Sequence, residues 1–151
     1  DANYRMPGVT DALWVDLEKM VEEGRFTVID LVYDEVLRFQ GKEGTWLKNW
    51  LKRNKAHCYR ELDQESMVLA QKVIRENMNT GFLSAKKLVA GQDEADPFLI
   101  GNAAIHQHAI ITMESAARPN RIPQVADGYG ARGIGILEFL KERGFRLVQS
   151  S

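Results

Sequence analysis

One stretch in the second half of the chain constrains the fold more than any other, because it predicts a helix followed at once by an apolar strand. Asp96 and Pro97 stand near the start of residues 95–104, where an acid and a proline suit the first turn of a helix. Residues 109–114 then read Ala-Ile-Ile-Thr-Met-Glu, an apolar run that ends in a carboxylate. In α/β proteins, side chains at the end of such a strand lie at the edge that usually carries the chemistry.

The rest of the chain alternates between helix-like and strand-like segments in the same way. Capping residues precede apolar residues at helical spacing, and short apolar runs stand between some of these helices. Such alternation predicts an α/β domain with a mainly parallel sheet that is covered by helices on both faces. The predicted elements of the first half are, in chain order, a helix capped by Thr10 and ended by Gly24, strand 25–29, a helix capped by Asp30, a helix begun by Thr45 and mixed strand character over 56–62. A helix capped by Asp63, a short helix over 84–89 and the helix opened by 93–96 follow. The last predicted elements are strand 109–112, loop 115–121, helical turns over 122–127, strand 133–136 and a helix over 137–143 closed by Gly144.

Three of the predicted helices carry apolar stripes that we expect to face a core. In the helix begun by Thr45, Lys48, Lys52 and Arg53 lie away from the stripe and are expected to point to water. The stripes are Leu13, Trp14, Leu17, Met20 and Val21 in the first helix, Trp46, Leu47, Trp50 and Leu51 in the helix begun by Thr45, and Met67, Ala70, Ile74 and Met78 in the helix capped by Asp63.

Length and composition indicate one soluble globular domain that spans residues 1–151. The chain is 44% hydrophobic and 27% charged, which is enough for a single core. No apolar run approaches the roughly 20 residues that cross a bilayer, and the first residues lack the basic and apolar regions of a secretory signal. Cys58 is the only cysteine, which excludes an internal disulfide and a multi-cysteine zinc site and leads us to expect a reducing, cytoplasmic setting.

The charge balance excludes a chain that binds polyanions over its whole surface. The net charge is −1 and the estimated pI is 6.4, so a nucleic acid must be held by a local basic patch. For the basic residues of the helix begun by Thr45, a solvated face is the simpler interpretation, whereas Arg118 and Arg121 fit solvation and phosphate binding equally well. The candidate groups are Lys48, Lys52, Arg53 and Lys55 on one helix, Lys86 and Lys87, and Arg118 with Arg121 in the loop after Glu114.

Three carboxylates carry the sharpest functional hypothesis. Glu35, Asp96 and Glu114 each stand at or just beyond a transition between strand and helix, so a parallel sheet could gather them at the carboxyl ends of its strands. Carboxylates that converge without Lys or Arg repel one another unless they are protonated or a hard divalent cation such as Mg²⁺ or Mn²⁺ neutralises them. Two such ions roughly 4 Å apart can activate water for phosphodiester cleavage. The alternative is that Asp96 only begins a helix, Glu35 is solvated and Glu114 is a charge at a strand end.

These residues lie in segments that resemble PIN domains. Residues 95–114 look like the third and fourth motifs of that family, and Val32–Val36 looks like the second. Together with residues 7–23, 121–125 and 136–140, they resemble a little-characterised, PIN-like bacterial branch. The likeness covers nearly the whole chain, and the order and spacing of the motifs are more specific than any one of them.

The resemblance implies a three-layer α/β/α fold and a Mg²⁺- or Mn²⁺-dependent ribonuclease, often the toxin of a toxin–antitoxin pair. It makes Glu35 the acid of the second motif and Asp96 the acid of the third. Glu114 takes the fourth position, where the family more often has Asp, and Thr112 matches the small hydroxyl residue before it. An RNA substrate and an antitoxin partner are implied with it, and the apolar helices also allow a homodimer.

The first acid of the family has two candidate positions. Asp1-Ala2-Asn3 fits the Asp-x-Asn pattern of the first motif, and Asp1 would then be a further metal ligand. The apolar strand that should precede this motif is absent, and few residues separate it from the following helix. Either Asp1 is the first acid, or that acid and its strand lie upstream of the given residues.

Two other motifs favour structural interpretations. The string Gly128–Gly133 matches the dinucleotide fingerprint, but it lies between a predicted helix and a predicted strand, whereas that motif needs the opposite order. A glycine turn into the last strand is therefore expected. His106 and His108 do not share a helix face and have no evident third ligand, so structural or surface histidines are favoured over a metal site.

The sequence thus predicts a single PIN-like domain that hydrolyses RNA, with Glu35, Asp96 and Glu114 as metal ligands and catalytic groups. The main alternative is a domain with an incomplete set of acids that binds RNA or another protein without cleaving it. A phosphatase or a nucleotide-binding α/β domain is a third, weaker hypothesis.

Overall fold

The computed structural model describes residues 10–41, 44–83, 94–114 and 116–145, which form helices and short parallel strands. The chain comprises two compact units, Asp1–Glu61 and Leu62–Ser151. The first unit contains α1 (Asp11–Glu22), β1 (Val28–Ile29), α2 (Asp30–Arg38), α3 (Thr45–Cys58) and β2 (Tyr59–Arg60). The second contains α4 (Gln64–Glu76), α5 (Ala95–His106), β3 (Ala109–Ile111), α6 (Ile122–Asp127), β4 (Arg132–Ile134) and α7 (Ile136–Glu142).

The core of the first unit is built from aromatic side chains of α1 and α3. The Trp14 ring lies 5.6 Å from that of Trp46 and 6.1 Å from that of Trp50, centroid to centroid. Phe26 packs edge-on against Trp50 at 5.9 Å, an arrangement that the ring quadrupoles favour. The apolar stripes predicted for α1 and α3 are confirmed, because their members are buried or half-buried.

The strands of the first unit are shorter than the sequence predicts. β1 and β2 pair in parallel over two residues each, Val28 with Tyr59 and Ile29 with Arg60. The prediction of strand character from residue 56 is wrong for its first three residues, because α3 continues to Cys58. Cys58 lies seven residues after Leu51, and one helix therefore buries both side chains on the same face.

In the second unit, α4 and α5 approach each other through small residues. A Cβ on Gly101 of α5 would lie 2.5 Å from the backbone oxygen of Ser66 and 3.0 Å from the backbone nitrogen of Ala70. The buried line of α4 is therefore Ser66, Ala70 and Val73. The stripe predicted for this helix is wrong at its ends, since Met67 is 36% and Met78 57% exposed.

β3 and β4 form the parallel pair of the second unit. Ala109, Ile110 and Ile111 pair with Arg132, Gly133 and Ile134, and the Thr112 N–H extends the pair by donating to the Ile134 carbonyl at 2.9 Å. The helix predicted over 122–127 is confirmed at both ends. The last helix begins one residue early, and Gly144 follows it with φ +84°, as a glycine at a helix end often does.

The α/β class is confirmed, whereas the expected single sheet is not found among the described residues. These residues form two separate two-stranded parallel sheets, β1–β2 and β3–β4. Strands of two or three residues supply few ladder hydrogen bonds, and the helices bury most of the apolar surface instead. The helix predicted over 84–89 lies outside the described residues. Within the described ranges, every helix is too short or too polar to span a lipid bilayer.

Candidate functional site

Asp96 is the second residue of α5 and lies in its first turn. The helix begins at Ala95, with Glu94 at the N-cap position, and Pro97 is buried within the same turn. The side chain of Asp96 is half-buried. The exposed N–H groups of the first turn favour a negative charge there, which is the physical reason for an acid at this position. The side chain of Glu94 makes no cap hydrogen bond.

Glu114 follows the carboxyl end of β3 and connects that strand to α6. Its Oε2 accepts the N–H of Ile122, the first residue of α6, at 3.0 Å. Its own N–H donates to the Thr112 hydroxyl oxygen at 3.0 Å. Thr112 is buried and Glu114 is half-buried. The two hydrogen bonds fix the direction in which the chain leaves the strand and orient the Glu114 carboxylate toward the beginning of α6.

The chain path puts Asp96 and Glu114 at the same end of the α5–β3 pair. Gln107 adopts φ +57° and the His108 N–H donates to the Ala103 carbonyl at 2.9 Å, so the chain reverses directly after α5. Ile100, Ala103 and Ile110 belong to one core cluster, which shows that the helix packs along the strand. Asp96 lies at the beginning of α5 and Glu114 follows β3, so this reversal directs both acids toward the same end of the pair.

Glu35 belongs to the first unit, on α2, and is half-buried. The helix begins directly after β1, and Asp30 at its first position accepts the N–H of Leu31 at 2.8 Å. Asp34 is exposed. The placement of Glu35 beyond the first strand of this unit agrees with the sequence prediction.

The structure pairs two acids that the sequence analysis did not name as candidate ligands. Asp30 directly follows Ile29 and Glu61 directly follows Arg60, and these two strand residues are partners in the β1–β2 register. Burial, together with the carboxylates of Asp30 and Glu61, raises the pKa of Tyr59. Their position just after a predicted strand was the available signal, but the register that joins them depends on the pairing of distant segments.

Arg118 and Arg121 lie in the turns between β3 and α6. Arg118 is exposed, whereas Arg121 is half-buried and occupies the N-cap position of α6. The Arg121 carbonyl accepts the N–H of Val125 at 3.0 Å. Asp1, the remaining candidate ligand, lies outside the described residues.

His106 contacts a carboxylate that caps a different helix. Its Nε2 lies in hydrogen-bond contact with Asp63 Oδ2, while Asp63 Oδ1 accepts the Ser66 N–H at 2.7 Å and caps α4. The Ser66 N–H and the bond to His106 lower the pKa of Asp63 from 3.8 to about 2. The ring of His108 lies 5.8 Å from that of His106, and its pKa is lowered by burial and by His106. The histidines are thus tied to a structural contact between α4 and α5.

The glycines of the segment 128–133 make the expected turn into the last strand. Gly130 has φ +77°, and β4 begins two residues later. A Cβ on Gly133 would lie 2.9 Å from the Cα of Pro123, so this glycine allows α6 to approach β4 closely. A cavity of about 490 Å³ lies beside these residues, lined by Pro123, Gln124, Asp127 and Arg132 among others, and none of the predicted site residues lines it.

Within the described ranges, His, Cys, Asp and Glu side chains form no group of three or more that could hold a metal ion. Asp96 and Glu114, the two candidate ligands of the second unit, therefore belong to no such group.

Comparison with known proteins gives one match. The model of a family described as a domain of unknown function, DUF4411, matches residues 2–147. No curated protein and no solved structure matches the chain.

Proposed function

This chain belongs to the DUF4411 family, and from its acids and its resemblance to PIN domains we propose that it is a metal-dependent ribonuclease with a three-layer α/β/α, PIN-like fold. The family description names no activity, and the residues of this chain support the proposal. An α/β fold with parallel strands is compatible with the proposal.

The observation that carries the proposal is the common position of Asp96 and Glu114 at one end of the α5–β3 pair. Both side chains are half-buried, where water screens their mutual repulsion less than at an exposed surface. Carboxylates that lie close together bind a divalent cation or take up a proton. Hydrolysis of a phosphodiester uses the first of these options.

The donor set fits a hard cation such as Mg²⁺ or Mn²⁺. All proposed ligands are carboxylates, and oxygen ligands are the ones these ions prefer. One oxygen of Glu114 accepts the Ile122 N–H, but an ionised carboxylate has about four acceptor positions and can bind a cation as well. Two carboxylates alone supply fewer ligands than such a cation needs from its site. The resemblance implies Glu35 and Asp1 as the further ligands.

When bound, the cation would activate a water and stabilise the leaving oxygen of the phosphodiester. The chain's own residues would hold and orient the reacting groups. Thr112 fixes the Glu114 N–H and thus the direction of the Glu114 carboxylate. Arg118 and Arg121 would bind phosphates beside the cleaved bond through their planar guanidinium groups.

The test is the substitution Asp96→Asn, with Glu65→Gln as its matched control. Both residues are acids in the first turn of a helix of the second unit, so both variants lose one charge from a similar position. We expect Asp96→Asn to abolish Mn²⁺-dependent cleavage of single-stranded RNA and to weaken Mn²⁺ binding, measured by calorimetry, while far-UV circular dichroism stays unchanged. Glu65→Gln should alter neither. Equal cleavage by Asp96→Asn and the wild-type chain would refute the assignment.

The same titration separates the proposal from its alternatives. A wild-type chain that binds RNA but no Mn²⁺ would be a non-catalytic RNA-binding module. Hydrolysis of small phosphoesters without RNA cleavage would instead indicate a phosphatase. An antitoxin partner belongs to the proposal as a consequence of the resemblance. A cytoplasmic location, from the single cysteine, and a homodimer, from the apolar helices, belong to it as well.

A further inference from the structure

One helix of the first unit carries a concentration of positive charge that the metal-site proposal does not use. α3 is 14 residues long and contains Lys48, Lys52, Arg53 and Lys55, but no Asp or Glu. The chain as a whole has a net charge of −1. Four positive charges on one acid-free helix are therefore a local excess of the kind that a polyanion partner requires.

Three of these residues form a straight stripe along the helix. Lys48, Lys52 and Lys55 are spaced by four and three residues, so they share a sector of about 60° and extend over about 10 Å along the axis. Lys52 and Lys55 are exposed, and Lys48 is half-buried. Trp50, Leu51 and Cys58, which are buried, occupy a different face of α3. The lysine stripe, as these three residues are called below, thus lies beside the core-facing side and remains accessible.

The lysine stripe is not neutralised by carboxylates in the described part of the chain. None of the three ammonium groups forms an ion pair with a described Asp or Glu. Lys55 Nζ instead lies 5.1 Å from the ring centroid of Tyr33 and 4.9 Å from that of Tyr59. These rings pack edge to face at 5.2 Å, and their faces attract the ammonium without cancelling its charge. The two rings thereby hold the Lys55 ammonium group in place.

We infer that the lysine stripe binds the phosphate backbone of single-stranded RNA. The inference rests on the proposed function for the choice of RNA and extends it by naming where the strand is held outside the metal site. Lysine ammonium groups bind phosphates as point charges, which suits a contact independent of sequence. A row of three along one helix matches a continuous strand better than a single anion.

The experiment measures binding without cleavage, in EDTA, by fluorescence anisotropy of a labelled single-stranded RNA of about 16 nucleotides. The test variant replaces Lys48, Lys52 and Lys55 with Gln. The matched control replaces Lys19, Lys72 and Lys141, three exposed lysines on other helices, with Gln, so the net charge of both variants is the same. A third variant with Arg at the three stripe positions keeps the charge.

Three phosphate contacts on a single strand contribute about 2 to the slope with which the logarithm of the binding constant falls with the logarithm of the salt concentration. Their removal corresponds to a loss of up to about 100-fold in affinity at ~0.1 M salt. We expect the variant with Gln at the three stripe positions to show most of this loss of affinity. Its RNA affinity should also depend less steeply on salt than that of the wild-type chain. The control variant should stay within about twofold and the Arg variant near wild type, since charge and not side-chain identity sets this term. Equal affinities of the stripe and control variants would overturn the inference, as would a wild-type chain that fails to bind the RNA.

The result is independent of the ribonuclease test. A chain that binds RNA through the lysine stripe but cleaves none would keep this inference and reject the proposed activity. A chain whose cleavage depends on Asp96, but whose RNA affinity does not change when the stripe lysines are replaced, would keep the proposed activity and reject this inference. Binding of a labelled polyglutamate peptide in place of RNA, with the same lysine dependence, would assign the stripe to an acidic protein partner and refute the inference.

Discussion

The contact between α4 and α5 makes Gly101 the residue whose replacement has the most definite consequence. In Gly101→Ala the new Cβ would lie 2.5 Å from the Ser66 carbonyl oxygen, 3.0 Å from the Ala70 nitrogen and 3.3 Å from the Ala70 Cβ. Two of these neighbours are backbone atoms of one helical turn. They cannot rotate away, so the two helices must move apart.

The size of the effect follows from the distances. Relief of the contact requires a separation of about 1 Å, and a gap of this size forfeits a quarter to a half of the dispersion energy of the atoms that line it. Val73 of α4 and Ile100 of α5 are both fully buried and lie in the same core cluster, so they lose contacts as well. Overpacking of this kind costs up to about 3 kcal/mol, and the better helix propensity of Ala recovers about 1 kcal/mol. We expect a net loss of about 2 kcal/mol.

Urea denaturation followed by far-UV circular dichroism measures this loss. For a slope of roughly 2 kcal/mol per molar, the midpoint of Gly101→Ala should fall by about 1 M. Gly128→Ala is the matched control, because Gly128 has φ −61° and its Cβ would lie 3.4 Å from the nearest atom, the Val125 carbonyl oxygen. The control midpoint should stay near that of the wild type. A Gly101→Ala chain as stable as the control would show that the close contact does not limit the packing of these helices.

Two further predictions concern carboxylates that cap helices. Glu114→Ala removes the acceptor for the Ile122 N–H and should lower the free energy of unfolding by about 1 kcal/mol. Glu114→Gln keeps an acceptor oxygen and should be nearly as stable as the wild type while losing Mn²⁺ binding, so equal stability of the two variants would contradict the capping role. The pKa of Asp63 is lowered from 3.8 to about 2, chiefly by the Ser66 N–H, so its contribution to stability is complete above pH 4 and is lost as the pH falls toward 2. Asp63→Asn should reduce the loss of stability in this window in acid-unfolding curves, and an unchanged acid transition would refute the assignment.

The candidate site was predictable to the extent that each acid is marked by local sequence. Asp96 precedes a proline at the start of an apolar helix, and Glu114 ends an apolar strand, and the structure has both elements. The second role of Glu114, as the acceptor for the Ile122 N–H, has no such mark, because eight residues of irregular chain separate the two. The contact of Asp63 with His106 likewise joins residues that are 43 positions apart.

The sequence alone indicated where most helices begin and end, since glycines, prolines and hydrophobic spacing act within a few residues of the chain. The alternation of helices and strands indicated that the strands run parallel. Tertiary structure decided which residues of α4 are buried, because the side chain of Met67 would keep α4 and α5 apart where Ser66 and Ala70 let them meet at Gly101. It also decided that the strands form two short pairs, since pairing depends on which distant segments the helices bring together. Interactions between residues close in the chain determine where helices and strands form, whereas the fit between their surfaces determines which of them pack together.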